Sequence, residues 1–133
     1  MTRNLINPPA SQQDYDTFHF SQAVSAGGLV WVSGQVGLDP TTGLPADGMR
    51  AQATLAFEKI RTVLAAAGAS MADIVDITSF HTDLRADIGD FMAVKDAFIA
   101  ADFPAWTAVG VTELAYPGAV VEIKVVAVAG GAA

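Results

Sequence analysis

Glu122 stands out among the carboxylates of this sequence. It lies in Val120-Val121-Glu122-Ile123-Lys124-Val125-Val126, where a period of two puts Glu122 and Lys124 on one face of a strand and Val121, Ile123 and Val125 on the other. The Val121 face is core. On the opposite face a glutamate is either solvated beside Lys124 or enclosed in a cleft, where burial raises its pKa and suits it to acid/base work. The pattern taken alone favours the solvated alternative.

The other reactive residue types are sparse. His81-x-Asp83 puts two metal-capable side chains on one side of a strand, but two ligands at a strand end read as polar edge residues, and His19 is far away in sequence. Ser33 precedes Gly34, yet a nucleophile elbow needs Gly-x-Ser-x-Gly and residue 31 is Trp. Ser33 therefore reads as a hydrogen-bonding residue at a strand end. Gly27-Gly28 has no following Lys-Ser or Lys-Thr, so no phosphate loop is present. With no cysteine in the chain, thiolate nucleophiles, disulfides and cysteine metal sites are all removed. Trp106, in Phe103-Pro104-Ala105-Trp106-Thr107, stands at the entrance of a strand behind a proline that cannot join a sheet ladder.

Several elements must position these residues. Phe18 to Val24 partly alternates, Ser25 to Gly28 is turn chemistry, and Leu29 to Gln35 resumes as a strand, which predicts a hairpin. Met49, Ala53, Phe57, Ile60 and Leu64 recur at helical spacing, with Asp47 as the expected cap and Gly68 as the stop. Ile74 to Thr82 alternates and is rich in β-branched residues, so it reads as a strand. The acidic stretch from Asp83 to Asp90 turns the chain into a second helix with Phe91, Val94 and Phe98 as its buried stripe. Trp106 to Val111 and Ala119 to Ala129 complete an order ββαβαββ. The expected fold is α+β, one sheet with two helices on one face, in a single domain over 1–133 with a core of about 18–128, a short N-terminal segment and an Ala/Gly tail after Val128. The other sheet face needs a cover, which subunit partners would supply.

Composition supports that outline. The chain has 133 residues, 52% hydrophobic and 16% charged, enough for one core and too few for two. No apolar run approaches the roughly 18 to 20 residues of a membrane span, and the start lacks a secretory signal, so the expected location is the cytoplasm. The scarcity of charge points to self-association. A formal net charge of -7 repels phosphate backbones and makes nucleic acid an unsuitable partner.

Phe20-Ser21-Gln22-Ala23-Val24, Leu29 to Gln35 with Leu38-Asp39-Pro40-Thr41-Thr42-Gly43, Ala65 to Ser70 with Asp73-Ile74-Val75, Phe103 to Thr107, and Val121-Glu122-Ile123 together resemble the Rid (YjgF/L-PSP) family in the family's order. The resemblance implies a chorismate-mutase-like fold assembled as a homotrimeric barrel, with small-molecule clefts at the subunit interfaces. Members with established activity hydrolyse imines and enamines to carbonyl compounds and ammonia without metal or cofactor. In those members an arginine grips the substrate carboxylate where this chain has Trp106, a tyrosine matches Phe20 and an asparagine matches Lys95. Ser33, Gly34 and Glu122 keep the family's cleft residues, and the resemblance gives Glu122 the task of positioning the attacking water. It also implies that 2-imino-acid binding is weakened by the missing arginine. Trp106 offers either a stacking face for an unsaturated ligand or interface packing. Lys95 either returns a cation to the cleft or snorkels past Phe91 and Phe98. Phe20 is a core or cleft-wall residue. Two functions follow: a divergent hydrolase or deaminase of an imine, enamine or related unsaturated amine, and a non-catalytic trimeric small-molecule binding or regulatory protein. The ribonuclease activity sometimes attached to the family fits the acidic charge poorly.

Overall fold

The computed structural model describes residues 2–129, so the tail expected after Val128 lies outside the described residues except for Ala129. In chain order the elements are β1 (Asn4–Ile6), α1 (Gln12–Phe18), β2 (Ala23–Ala26), β3 (Leu29–Gln35), α2 (Met49–Ala66), β4 (Ile74–His81), α3 (Leu84–Phe98), β5 (Ala105–Gly110) and β6 (Val121–Val128). The six strands form one mixed sheet in the order β1-β2-β3-β6-β4-β5. Among the described residues only β4 and β5 pair in parallel. β6 inserts between β3 and β4 and is paired along most of its length on both sides.

The α+β class, the four strands β3 to β6 and both long helices match the sequence expectation. The N-terminal part does not. The stretch treated as a short segment outside the core carries a strand paired to β2 and a helix. Phe18 ends that helix, and β2 starts only at Ala23. His19 closes α1 in the left-handed region at φ 61°, which turns the chain before the hairpin can begin. α1 buries none of its residues, so no apolar stripe marked it. The cap of α2 also differs: Gly48 occupies that position at φ 89°, with no side-chain cap, and Asp47 lies outside.

α2 and α3 cover one face of the sheet. Phe57, Ile60 and Leu64 of α2 and Phe91 of α3 meet Ile77, Ile123 and Val125 in one buried cluster. Phe57 lies between two rings, stacked on Phe98 at 5.2 Å and tilted against Phe91 at 5.9 Å. β6 obeys its alternation, with Val121, Ile123, Val125 and Ala127 buried and Lys124 and Val128 exposed. The buried side chain of Gln52 ties two loops to this layer. It donates to the Ala46 and Gly118 carbonyls and accepts from the Val120 N–H at 2.8 Å, which fixes the approach to β6. Among the described residues, no helix is long and apolar enough to cross a membrane.

Phe57 is fully buried and packs against two aromatic rings of α3. Phe57→Ala is expected to cost about 3–5 kcal/mol of folding stability, read as a lower urea midpoint at constant m value.

Candidate active site

The candidate site residues fall into two groups on opposite faces of the sheet. The first is built on β3 and β6, whose register shifts between Val32 and Gln35. That irregularity places Gly34 beside Glu122. A methyl group at Gly34 would lie 2.5 Å from Oε2 of Glu122 and 2.7 Å from its Cδ, so the carboxylate side chain occupies the space that the glycine leaves open. Glu122 is half-buried, and desolvation raises its pKa above 4.5. The ion pairs among the described residues, Arg50–Asp90 and Lys95–Asp96, include neither Glu122 nor Lys124. The solvated glutamate with Lys124 as companion is therefore replaced by a partly desolvated, unpaired one.

A buried polar network braces this bulge. The Gln35 amide donates to Gln22 Oε1 at 2.8 Å, the Gln22 amide donates to Asp14 at 3.0 Å, and the Gln22 N–H donates to Asn7 Oδ1 at 3.0 Å. Ser33 donates its hydroxyl to the Ser21 carbonyl at 2.7 Å and its N–H to the Gln22 carbonyl at 2.8 Å. Its side chain thus holds the backbone on which Glu122 rests. Phe20 lies in the connection between α1 and β2 and is 36% exposed, a surface position rather than a core one in the single chain.

The second group sits under the helices. Trp106 pairs with Ile77 across β4 and β5, and the parity of β4 carries Ser79 and His81 to the same buried side. The Trp106 indole N–H donates to Ser79 Oγ at 2.9 Å. Ser79 Oγ lies 2.7 Å from His81 Nε2. The indole can only donate, so Ser79 Oγ accepts from it, while the direction of the bond between Ser79 Oγ and Nε2 follows the His81 tautomer. The buried Nδ1 of His81 has no hydrogen-bond partner among the described residues. Phe91 packs against both rings, at 4.9 Å from His81 and 5.7 Å from Trp106. His81 is thus a buried brace for the indole, while Asp83 sits at the N-terminus of α3. Among the described residues, no group of three or more His, Cys, Asp or Glu side chains could hold a metal.

Lys95 joins this group. It is only 7% exposed, with its ammonium 4.8 Å from the Trp106 ring centroid, 5.5 Å from that of Phe103 and 3.3 Å from Asp96. The lysine covers the indole instead of snorkelling past Phe91 and Phe98. A cation over an aromatic face is worth roughly 0.5–2 kcal/mol, whereas an arginine at position 106 would bring a second cation to the same place.

On the outer side of Trp106, a groove of about 370 Å³ runs between α3 and β5, lined by Leu84, Arg85, Ile88, Met92, Trp106 and Ala108. The sequence reading missed Arg85, Ser79 and the glutamine network. A hydroxyl and an imidazole two residues apart on the apolar side of a predicted strand were a legible signal for Ser79 and His81. Arg85 had none, because its groove forms only when α3 packs beside the edge strand.

The family model described as Endoribonuclease L-PSP matches residues 12–129. The chain belongs to this family, the YjgF/L-PSP group that its sequence resembles. The RutC family protein YjgH of Escherichia coli is 44% identical over 126 residues, 94% of each chain. A 2-iminobutanoate/2-iminopropanoate deaminase of Dermatophagoides farinae is 35% identical over 116 residues, 84% of this chain and 86% of that protein. A solved structure of a protein YjgH superimposes with a TM-score of 0.86 at 42% identity, covering 97% of this chain and 98% of that one. The fold is therefore shared over nearly the whole chain.

His81 gives the buried group a pH signature. Desolvation lowers its pKa below 6.5, with the charge of Asp87 opposing the shift. Between those two pKa values the unfolded chain holds a proton that the folded chain does not, so stability rises with pH there. The contribution is complete above about 6.5 and is lost as pH falls through the lowered value. His81→Gln is expected to remove that part of the slope, measured as the difference from wild type in urea unfolding between pH 7 and 5; identical slopes would contradict it.

Proposed function

We propose that this chain is a homotrimeric hydrolase of an imine, enamine or related unsaturated amine, acting at clefts between subunits. The observation that carries the reading is the half-buried, unpaired carboxylate of Glu122 lying against Gly34. In a single chain, Glu122 and the Trp106 groove lie on opposite faces of the sheet, since Glu122 pairs with Phe80 and Trp106 with Ile77. A cleft using both therefore needs a second subunit, with Glu122 of one copy approaching the groove of the next. The deaminase names of relatives such as that of Dermatophagoides farinae support the reaction class.

The chemistry is redox-neutral and needs only water. Glu122 orients a water molecule toward the C=N carbon and takes a proton as the C–O bond forms. The proton returns to nitrogen, and the carbinolamine collapses to a carbonyl compound and ammonia. A carboxylate with a raised pKa suits both halves of that exchange, because it accepts the proton more readily than an ordinary glutamate. Trp106 and Lys95 replace the polar anchor expected from the family pattern, so the standard 2-imino-acid substrates lose their arginine contact. A bidentate charged contact is worth a few kcal/mol, and each ~1.4 kcal/mol is tenfold in affinity.

The apolar lining around Trp106 favours the alternative, a trimeric small-molecule binding protein without turnover. The ribonuclease reading gains no support, because His81 is wholly buried and His19 is exposed at the end of α1.

Imines generated in situ from a panel of amino acids and amines test the proposal. Wild type is expected to accelerate their hydrolysis. Glu122→Gln is expected to slow it by on the order of 10²-fold or more while light scattering still reports a trimer. Full activity in that variant contradicts the mechanism, and a wild type with no activity on any member of the panel leaves the binding protein.

A further inference from the structure

Trp106 is a rigid wall. Its N–H is committed to Ser79 and its ring is packed by Phe91 and Lys95, so what remains for a ligand is an apolar surface in the groove between α3 and β5. Leu84, Ile88, Met92 and Ala108 extend that surface, and Met92 is 43% exposed in the single chain. Among the lining residues only Arg85 carries a charge. It forms none of the ion pairs among the described residues. Asp83 and Asp87 are two positions away on either side, a spacing that does not place side chains face to face on a helix. Asp87 instead acts on His81. Lys95, the other nearby cation, is covered by rings, paired with Asp96 and absent from the lining.

We propose that this groove binds an amphipathic carboxylate, with Arg85 gripping the carboxylate and Trp106, Ile88 and Met92 holding an aromatic or long aliphatic body. The inference rests on the proposed site and names its substrate class. A guanidinium offers two parallel N–H donors that match a carboxylate and do not match a neutral amide. The volume of about 370 Å³ lies within the range of small-ligand pockets, well beyond the body of a two- or three-carbon acid. The carboxylate anchor then lies on the first turn of α3, and the tryptophan on the strand beside it selects bulk.

Isothermal titration of the full chain with 3-phenylpropionate, 3-phenylpropanamide and propionate tests this without turnover. Wild type is expected to bind phenylpropionate at least tenfold more tightly than propionate. Arg85→Gln, an exposed substitution whose folding circular dichroism verifies, is expected to weaken phenylpropionate at least tenfold and leave the amide unchanged. Equal affinity in the variant, equal affinity for propionate, or no binding of phenylpropionate to wild type overturns the proposal. Such a failure beside intact Glu122-dependent hydrolysis removes only the role of Arg85. Arg85-dependent binding with no hydrolysis of any imine removes only the proposed hydrolase.

Discussion

The alternation of β6 is the constraint on which the rest of the molecule depends. A strand held between β3 and β4 has no freedom to slip, because a shift of one residue would carry Val121, Ile123, Val125 and Ala127 out of the core and Glu122 and Lys124 into it. The hydrophobic contact of four residues with the helix layer therefore fixes the direction of Glu122. A carboxylate can be held in this way without a hydrogen bond of its own, since its orientation follows from what its neighbours bury.

The same principle operates differently across the sheet. Trp106 is on a strand at the sheet edge, where one neighbour is missing and backbone pairing alone holds a side chain less firmly. The relay from indole to Ser79 to His81 supplies the second restraint. Its cost is the orphaned Nδ1 of His81, a buried ring nitrogen with no hydrogen-bond partner among the described residues, whose desolvation is worth roughly 1–3 kcal/mol. A sequence that retains such a cost gains a tryptophan whose ring is fixed before any ligand arrives, and preorganisation lowers the ordering entropy lost on binding.

The legible parts of the sequence were those with a strong apolar period. α2, α3, β4 and β6 announced themselves because each buries one face, and the face of Glu122 followed from parity. β1 and α1 were not legible, since α1 buries nothing and β1 is a three-residue edge strand. The burial of Glu122 was not legible either. It depends on a bulge in β3 and on Gly34 having no side chain, a contact between segments nearly ninety positions apart in the chain. Gln22, Gln35 and Gln52 looked like ordinary polar residues, and only the fold shows that each is buried and hydrogen-bonded.

Position 106 shows why family membership and substrate are separate questions. The fold requires of that position only a side chain that packs beside Ile77 and under Phe91, and both an arginine stem and an indole satisfy that requirement. The difference is in charge, and charge is where Lys95 enters. With an ammonium 4.8 Å from the ring, a cation at 106 is disfavoured and an aromatic ring is favoured, so the two residues support each other. Because Glu122 and Gly34 lie on the opposite face of the sheet, this pairing of lysine and indole leaves their contact untouched.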